Sequence, residues 1–538
     1  MILIVLVAAV LRVVAVNGLG IDHWDEGAYA ISARAVSIGD LHGIFDRQYV
    51  LAPPMYFTTA GVLAAIFRTS SDAMMFAVSI VAGIACVLAL YLAGTMWGGR
   101  VVGGVAALSL SLSDFHVLYS RAALTDALFL TLFVVALAAF TRAELQKSTW
   151  WAILGGVATG LAWNTKYHGW LAGVVAAGAV LPLVLTSNAG ERKATAMRLI
   201  TAAAVALLMF VPWLLVLERY FGGYAAVATQ HARFLEPRDA IVNLVRHWRA
   251  QVYLEGWGTM LTPLALVGWV TLVDVRARRA SSLAWVVALT ALAFAIGGIS
   301  VLGVLAVAGA VLLVRQHGRR WTPHWFALAF FAAFSALTPF YEPFPRLLLP
   351  WVASAMVLSG VALERILLQE TTRRGLAVPL ALAAAGMAIL VIRGLPSTAN
   401  PWQPRRHLAH AAYALDSLTS GPAPVVVVGE TGIVFYLLER GRDAAAVNSP
   451  TEAPEHVRAG TPYYIVGGIY SRRIKGQASL ASWLERNPGV RQVGTLPVRG
   501  MSDIRLLDDF APPGARRYRR ENRDDYDLRV YLVNGPTQ

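Results

Sequence analysis

From residue 74 to residue 97 the chain carries no charged side chain, and a helix of that length reaches about 36 Å, enough to cross the roughly 30 Å hydrocarbon layer of a bilayer. The pattern recurs along the chain. Apolar runs near 1–18, 74–97, 101–117, 125–141, 150–166, 168–186, 199–217, 258–273, 282–297, 300–314, 325–338, 347–367 and 376–393 predict thirteen spans. Only 14% of the 538 residues are charged and 57% are hydrophobic, against about 25% charged in soluble domains. A cytosolic globular protein is excluded. The run 54–67 (PMYFTTAGVLAAIF) is short for a crossing and is expected at the interface as an amphipathic segment.

The formal charge of +14, from 46 Lys+Arg against 32 Asp+Glu, belongs in a membrane protein to the cytoplasmic loops. With Met1 cytoplasmic, the inner connections hold Arg100; Arg142 and Lys147; Arg192, Lys193 and Arg198; Arg276, Arg278 and Arg279; Arg315, Arg319 and Arg320; and Arg373 and Arg374. Each one is basic, as the positive-inside rule requires. The basic excess therefore points to lipid and not to nucleic acid as a partner. The lone Cys86 excludes an intrachain disulfide and a cysteine-based metal site, and its apolar surroundings mark it as a small buried hydrophobe. The first run lacks a basic start and a small-residue cleavage site, so it reads as a retained span, within which Arg12 must snorkel or face protein.

Thirteen crossings divide the chain into a polytopic all-α membrane domain, residues 1–393, and an extracytoplasmic tail, residues 394–538. The tail changes character. PVVVVG (424–429), YYIVGG (463–468) and DLRVYLVN (527–534) read as strands, and TGIVFYLLER (431–440) and SLASWLERN (479–487) as helices, which predicts a small α/β domain. The VVVVGETG turn lacks a full G-x-G-x-x-G and reads as an ordinary strand-to-helix turn. The cluster RRYRREN (516–522) reads as a solvated surface near lipid headgroups.

Ionisable residues beside spans are costly and tend to be functional. On this topology Asp22, Asp25, Glu26, Arg121, Asp126, Lys166, His168, Glu342 and Arg346 all fall at the outer membrane surface. Such a set can support glycosyl transfer from a lipid phosphate: a carboxylate takes the proton of an acceptor hydroxyl, and Lys and Arg neutralise the departing phosphate. It is equally what a structural ion-pair network would contain.

At Trp24-Asp25-Glu26 the pattern becomes specific. WDEGAYAISARAVSIGD, PPMYF, YSRAALTDALF, GLAWNTKYHGW and PRLLLPW, in that order over roughly residues 1–370, resemble the membrane region of the GT-C glycosyltransferases related to protein O-mannosyltransferases and the lipid A aminoarabinose transferase. The resemblance implies an inverting hexosyl- or pentosyltransferase in the inner or plasma membrane, using a polyprenyl phosphate sugar as donor. The acceptor, whether protein, lipid or glycan, stays open. By the same resemblance Asp25 is the catalytic base, Glu26 its neighbour in the active site, and Asp126 a second acidic residue that lines the site or helps hold a metal. Lys166 and Arg121 would meet the donor phosphate, with Arg346 matching an R-x-L-L-P pattern, Glu342 a looser match, and His168 in the same substrate-binding group. Three carboxylates can bind a divalent metal cation through oxygen, although their residue types alone do not identify one.

Plainer readings stand beside these. Asp25 and Glu26 can cap a helix beginning at Gly27, Asp126 can cap the next span, Lys166 can snorkel, and Arg121 and Arg346 can be structural partners of the carboxylates. His23, His168 and His231 lack metal-ligand spacing, and Trp24, Tyr29, Tyr49 and Tyr56 suit interfacial anchoring. A secondary transporter with ion-coupling carboxylates is the alternative from another class. Transporters place such groups near the bilayer midplane, whereas here they cluster at loop level. A noncatalytic lipid-binding scaffold would survive loss of Asp25.

Overall fold

The computed structural model describes residues 1–40, 52–255, 301–317, 321–368, 400–419, 421–458, 460–467, 480–487, 489–499, 502–505 and 525–534. Helices occupy ten of the expected apolar runs: α1 (Ile2–Val13), α4 (Ser71–Gly98), α5 (Arg100–Leu112) with α6 (Asp114–Ser120), α7 (Asp126–Leu145), α8 (Thr149–Trp163), α9 (Leu171–Thr186), α10 (Ala189–Tyr220), α13 (Val301–His317), α14 (His324–Leu337) and α15 (Leu349–Leu368). The expected spans at 258–273, 282–297 and 376–393 lie outside the described residues, as does the 516–522 cluster. Among the described residues four helices are long and apolar enough to cross a membrane, and α5 with α6, bent by 63°, would make a fifth. Thirteen crossings are therefore not established.

Two helices lie between α1 and α4. The first, α2 (Trp24–Ser37), is followed by α3 (Met55–Phe67). α3 buries Tyr56, Phe57, Ala60 and Ala64 and exposes Val62, Ile66 and Phe67. Its outer face is thus apolar as well, unlike the two-faced segment expected there. The Tyr56 hydroxyl donates to the Met75 carbonyl at 2.9 Å, fixing α3 on α4. Arg12 faces protein: its fully buried guanidinium donates to the carbonyls of Ala8, Leu110 and Ser111 and meets His116 Nδ1 at 2.6 Å. Cys86 is fully buried. On the far ends of α7 and α10, Arg198 makes a two-pronged buried pair with Glu144 at 2.9 and 2.6 Å, the geometry that suits guanidinium and carboxylate. Two further helices, α11 (Gly223–Ala232) and α12 (Ala240–Leu254), follow α10.

The C-terminal part holds a five-stranded sheet of order β2-β1-β3-β5-β4, built from β1 (Val425–Val428), β2 (Ala444–Val447), β3 (Tyr463–Gly467), β4 (Val490–Arg499) and β5 (Asp525–Val533). The first three strands are parallel and β5 runs antiparallel to both β3 and β4. Its helices are α16 (His407–Leu418), α17 (Thr431–Glu439) and α18 (Leu480–Arg486). Val425–Val428 is buried on both faces, which accounts for an unbroken Val run in a central parallel strand. The edge strand β4 contains Pro497 and a register shift between Gln492 and Gly494, both tolerated at a sheet edge. α17 packs against α2, which joins the sheet domain to the first loop.

Candidate active site

The first loop ends in a capping box. His23 is the N-cap of α2, so the helix begins at Trp24, three residues before the expected Gly27. His23 Nδ1 accepts from the Asp25 backbone N–H at 3.1 Å, while Glu26 accepts from the N–H groups of Asp22 and His23, each at 2.9 Å. These bonds satisfy donors that a helix N-terminus leaves open. Glu26 also accepts from the Ala123 N–H at 2.8 Å and pairs with Arg405. It is fully buried.

Asp25, one residue earlier, points elsewhere. Its carboxylate meets Arg346 at 2.5 Å and retains 14% side-chain exposure. Burial disfavours its charge, yet Arg346, His23 and Lys166 outweigh that and hold the carboxyl below its ordinary value. Asp25 is therefore an ionised carboxylate at neutral pH, with a lone pair available to a proton.

The second pair comes from two other segments. Ser113 breaks the α5–α6 helix and caps α6 by accepting from the His116 N–H at 3.2 Å. The bend carries the chain through residues 121–125 to Asp126, the first residue of α7. Lys166, in the turn after α8, meets Asp126 Oδ1 at 2.6 Å. Asp126 Oδ2 is buried with no hydrogen-bond partner among the described residues. Tyr29, one helical turn after Asp25, lies in the field of Asp25, Arg346 and Asp126. Its hydroxyl pKa is pushed well above the ordinary value, chiefly by burial.

Two carboxylates and two cations from four separated segments thus form one cluster, with Arg346 delivered by the 3₁₀ turn Pro345–Leu348. His168 packs edge-on against Phe129, at 4.7 Å between centroids, and Lys166 lies over the same ring. The Glu342 N–H donates to the Phe234 carbonyl at 2.8 Å, next to Tyr341, which feels both Arg346 and Asp25. Arg121 stands apart. Its buried guanidinium donates to the carbonyls of Arg12, Val14, Ala15 and Pro401, at 2.6 to 3.3 Å. The carboxylates Asp25, Glu26 and Asp126 each face a cation, and among the described residues no group of three or more His, Cys, Asp or Glu is placed to hold a metal ion.

Sequence reasoning passed over three basic side chains of the C-terminal part. Arg405 pairs with Glu26, His407 Nε2 reaches Asp22 at 2.5 Å, and Arg505 lies 3.9 Å from Asp22 and 2.6 Å from Glu430. Asp22 is held well below the usual carboxylate range: burial works against its charge, and His407, Arg505 and Arg405 overcome it. Glu430 belongs to the Gly-rich turn after β1, so that turn presents a carboxylate to Arg505.

Residues 52–216 match the family model described as dolichyl-phosphate-mannose-protein mannosyltransferase. No curated protein matches the chain by sequence. Among solved structures, ArnT from Cupriavidus metallidurans bound to undecaprenyl phosphate is similar over 100% of this chain and 99% of its own, with TM-score 0.57 and 15% identity. The apo oligosaccharyltransferase of Archaeoglobus fulgidus is similar over 83% of this chain, with TM-score 0.52 and 15% identity. This chain spans 64% of that archaeal protein. The archaeal oligosaccharyltransferase AglB from the same organism, in complex with an inhibitory peptide and a dolichol-phosphate, gives TM-score 0.54 and 14% identity, over 87% of this chain and 69% of its own. The family model covers three of the five motifs, PPMYF, YSRAALTDALF and GLAWNTKYHGW, and the solved GT-C structures share the fold.

Proposed function

We propose that this chain, with its GT-C fold, is an integral-membrane inverting glycosyltransferase that moves a hexose or pentose from polyprenyl phosphate to an acceptor hydroxyl on a protein, lipid or glycan. The observation that carries this reading is the placement of Asp25–Arg346 beside Asp126–Lys166 at loop level. An ionised carboxylate with two cations close by matches the demands of the reaction. Asp25 takes the acceptor O–H proton as that oxygen forms its bond to the anomeric carbon, and the carbon–phosphate oxygen bond breaks on the opposite face. The bonding pair leaves with the phosphate, whose charge Arg346 and Lys166 neutralise. Asp126 holds Lys166 in place.

The likeness to structures in complex with undecaprenyl phosphate and with dolichol-phosphate supports a lipid phosphate donor. The donor enters laterally from the bilayer, and the outer face of an inner or plasma membrane is the proposed location, with the sheet domain outside. Arg121, engaged by four backbone carbonyls, serves as scaffold in this reading, and Glu26 acts from behind Asp25.

The test is transfer from labelled polyprenyl phosphate sugars in membranes holding the full chain or Asp25→Asn. Loss of transfer in the variant with retained binding of the lipid phosphate supports Asp25 as base. No transfer by the native chain from any donor, with ion-coupled uptake instead, overturns the reading in favour of a transporter.

A further inference from the structure

Glu26 draws two distant segments, through the Ala123 N–H and Arg405, and the adjoining 22–23 backbone onto one carboxylate. Arg405 and Glu26 are 379 residues apart in sequence. Asp22 is gripped in the same way, by His407 at 2.5 Å, by the Ser502 N–H at 3.1 Å, and by Arg505, which also donates to the Asp22 carbonyl at 3.2 Å. Both carboxylates are buried, at 0% and 1% exposure for Glu26 and Asp22. Asp25 lies between them in the chain.

Backbone contacts show how closely the two parts are joined. A Cβ at Gly27 would stand 2.4 Å from the Gly432 nitrogen and the Thr431 hydroxyl, and one at Gly20 would stand 2.5 Å from the Arg405 carbonyl oxygen. The Thr431 hydroxyl donates to the Trp24 carbonyl at 2.5 Å, the Ile21 N–H donates to the Tyr436 hydroxyl at 2.9 Å, and Arg34 pairs with Glu439 at 3.0 Å. Contacts from the C-terminal domain therefore flank Asp25 on both sides, at Ile21–Asp22 and at Trp24, Glu26 and Gly27, while its own carboxylate is left to Arg346.

We propose that Arg405, His407 and Arg505 of the C-terminal domain are positioning residues that fix the Asp25 carboxylate through Glu26 and Asp22, so that the catalytic geometry of the membrane domain depends on a docked sheet domain. This inference rests on Asp25 being the base. The physical ground is that Asp25 is held between two anchored positions: Asp22, three residues before it, and Glu26, directly after it, end in buried carboxylates whose partners belong to another part of the chain. Removing one partner leaves a buried carboxylate without compensation. Relief comes by letting the loop move toward water, and Asp25 moves with it.

The experiment uses the full chain in nanodiscs and compares native protein with Arg405→Met, Arg405→Lys and Arg440→Ala, the last altering an exposed pair with Asp416 inside the C-terminal domain. Amide exchange of residues 20–30 is expected to rise at least about tenfold in Arg405→Met, while exchange in α7 stays native. In the same variant kcat falls about 100-fold with KM for the donor unchanged, as a displacement of about 1 Å would cause. Arg405→Lys, which keeps the charge but not the fork, recovers part of both effects. Arg440→Ala changes neither.

Native exchange in Arg405→Met overturns the proposal, and so does faster exchange with native kcat. Should Arg405→Met not fold, His407→Gln removes the Asp22 contact alone and is read in the same way. The two readings fail separately. If the native chain transfers no sugar the glycosyltransferase assignment falls, and exchange alone decides the clamp. If Asp25→Asn abolishes transfer while Arg405→Met behaves as native, the clamp falls and the assignment stands.

Discussion

Asp25 and Glu26, adjacent in the chain, look to different partners: Asp25 meets Arg346 at 2.5 Å just ahead of α15, and Glu26 pairs with Arg405 of the C-terminal domain. Successive residues on a helix are about 100° apart, so a single step along α2 separates a partly exposed carboxylate from one locked into structure. Replacing each should therefore give different failures. Asp25→Asn should lower transfer by about 10²–10⁴-fold, the range for loss of a general base, with lipid phosphate binding and thermal melting unchanged. Glu26→Gln should lower the melting temperature as well.

Arg346 should set the acid limb of the rate profile. Asp25 is held below its ordinary value, with Arg346 the foremost of the groups that lower it. A depressed carboxyl stays ionised as pH falls and is lost only when pH passes its folded value. Arg346→Met removes that support, so the acid limb of kcat/KM should move to higher pH, with weaker donor binding besides. An unmoved limb in a pH titration of the variant would separate Arg346 from Asp25.

The Asp126–Lys166 pair is buried, at 3% and 13% side-chain exposure. Removing one member of such a pair costs about 3–5 kcal/mol, whereas removing both can be nearly neutral. Thermal melts should therefore rank Asp126→Asn and Lys166→Met each well below native, with the double variant recovering most of the loss. Activity should stay low in all three, because the cation facing the phosphate is gone or misplaced.

Gly27→Ala has opposing expectations that its surroundings decide. Ala is favoured over Gly in a helix interior by about 1 kcal/mol, but here the added methyl would meet the Gly432 nitrogen and the Thr431 hydroxyl at 2.4 Å. Overpacking of this kind costs about 1–3 kcal/mol. The variant should be less stable than native in a denaturation series, and limited proteolysis should release the C-terminal domain sooner.

Docking of that domain should also depend on pH. Asp22 is strongly depressed by His407, Arg505 and Arg405 against the opposing effect of burial. The unfolded chain then binds the proton more readily, so stability rises with pH through the carboxylate range. The Asp22 contribution should be complete above its unfolded value, near about pH 4, and should decline as acid approaches the lower folded value. Asp22→Asn should flatten that part of the curve in melts recorded from neutral to acid pH.

The helices and the ionisable residues that the structure gathers at Asp25 and Asp126 are legible in the sequence for a physical reason. Long apolar runs without charge have few alternatives in a bilayer, and the isolated charges beside them stand out by their cost. Asp25, Asp126, Lys166 and Arg346 stand out in this way, and the structure pairs them. The helix start was placed at Gly27 because His is a weak capping signal, whereas His23 and Glu26 form the box together. In β2, the run Ala444–Val447 has helical propensity and becomes a strand by parallel pairing with β1, a long-range effect that overrides local preference. β4 was hidden by its Gly494 and Pro497. Arg405, His407 and Arg505 carried no signal, since a cation in a soluble tail looks the same whether it faces water or a carboxylate more than 370 residues away.

That separation along the chain has a consequence for biosynthesis. A ribosome adding about 5–20 residues per second needs roughly 20–80 s to travel from Glu26 to Arg405. Through that interval the membrane helices can insert and pack, but Asp22 and Glu26 lack their C-terminal partners. Arg405 and Arg505 arrive only after the last described membrane helix has been made. On the proposed reading a nascent chain that has reached Lys166 holds Asp25 and Asp126 but lacks Arg346, Arg405 and Arg505, so it should stay inert until synthesis is nearly complete.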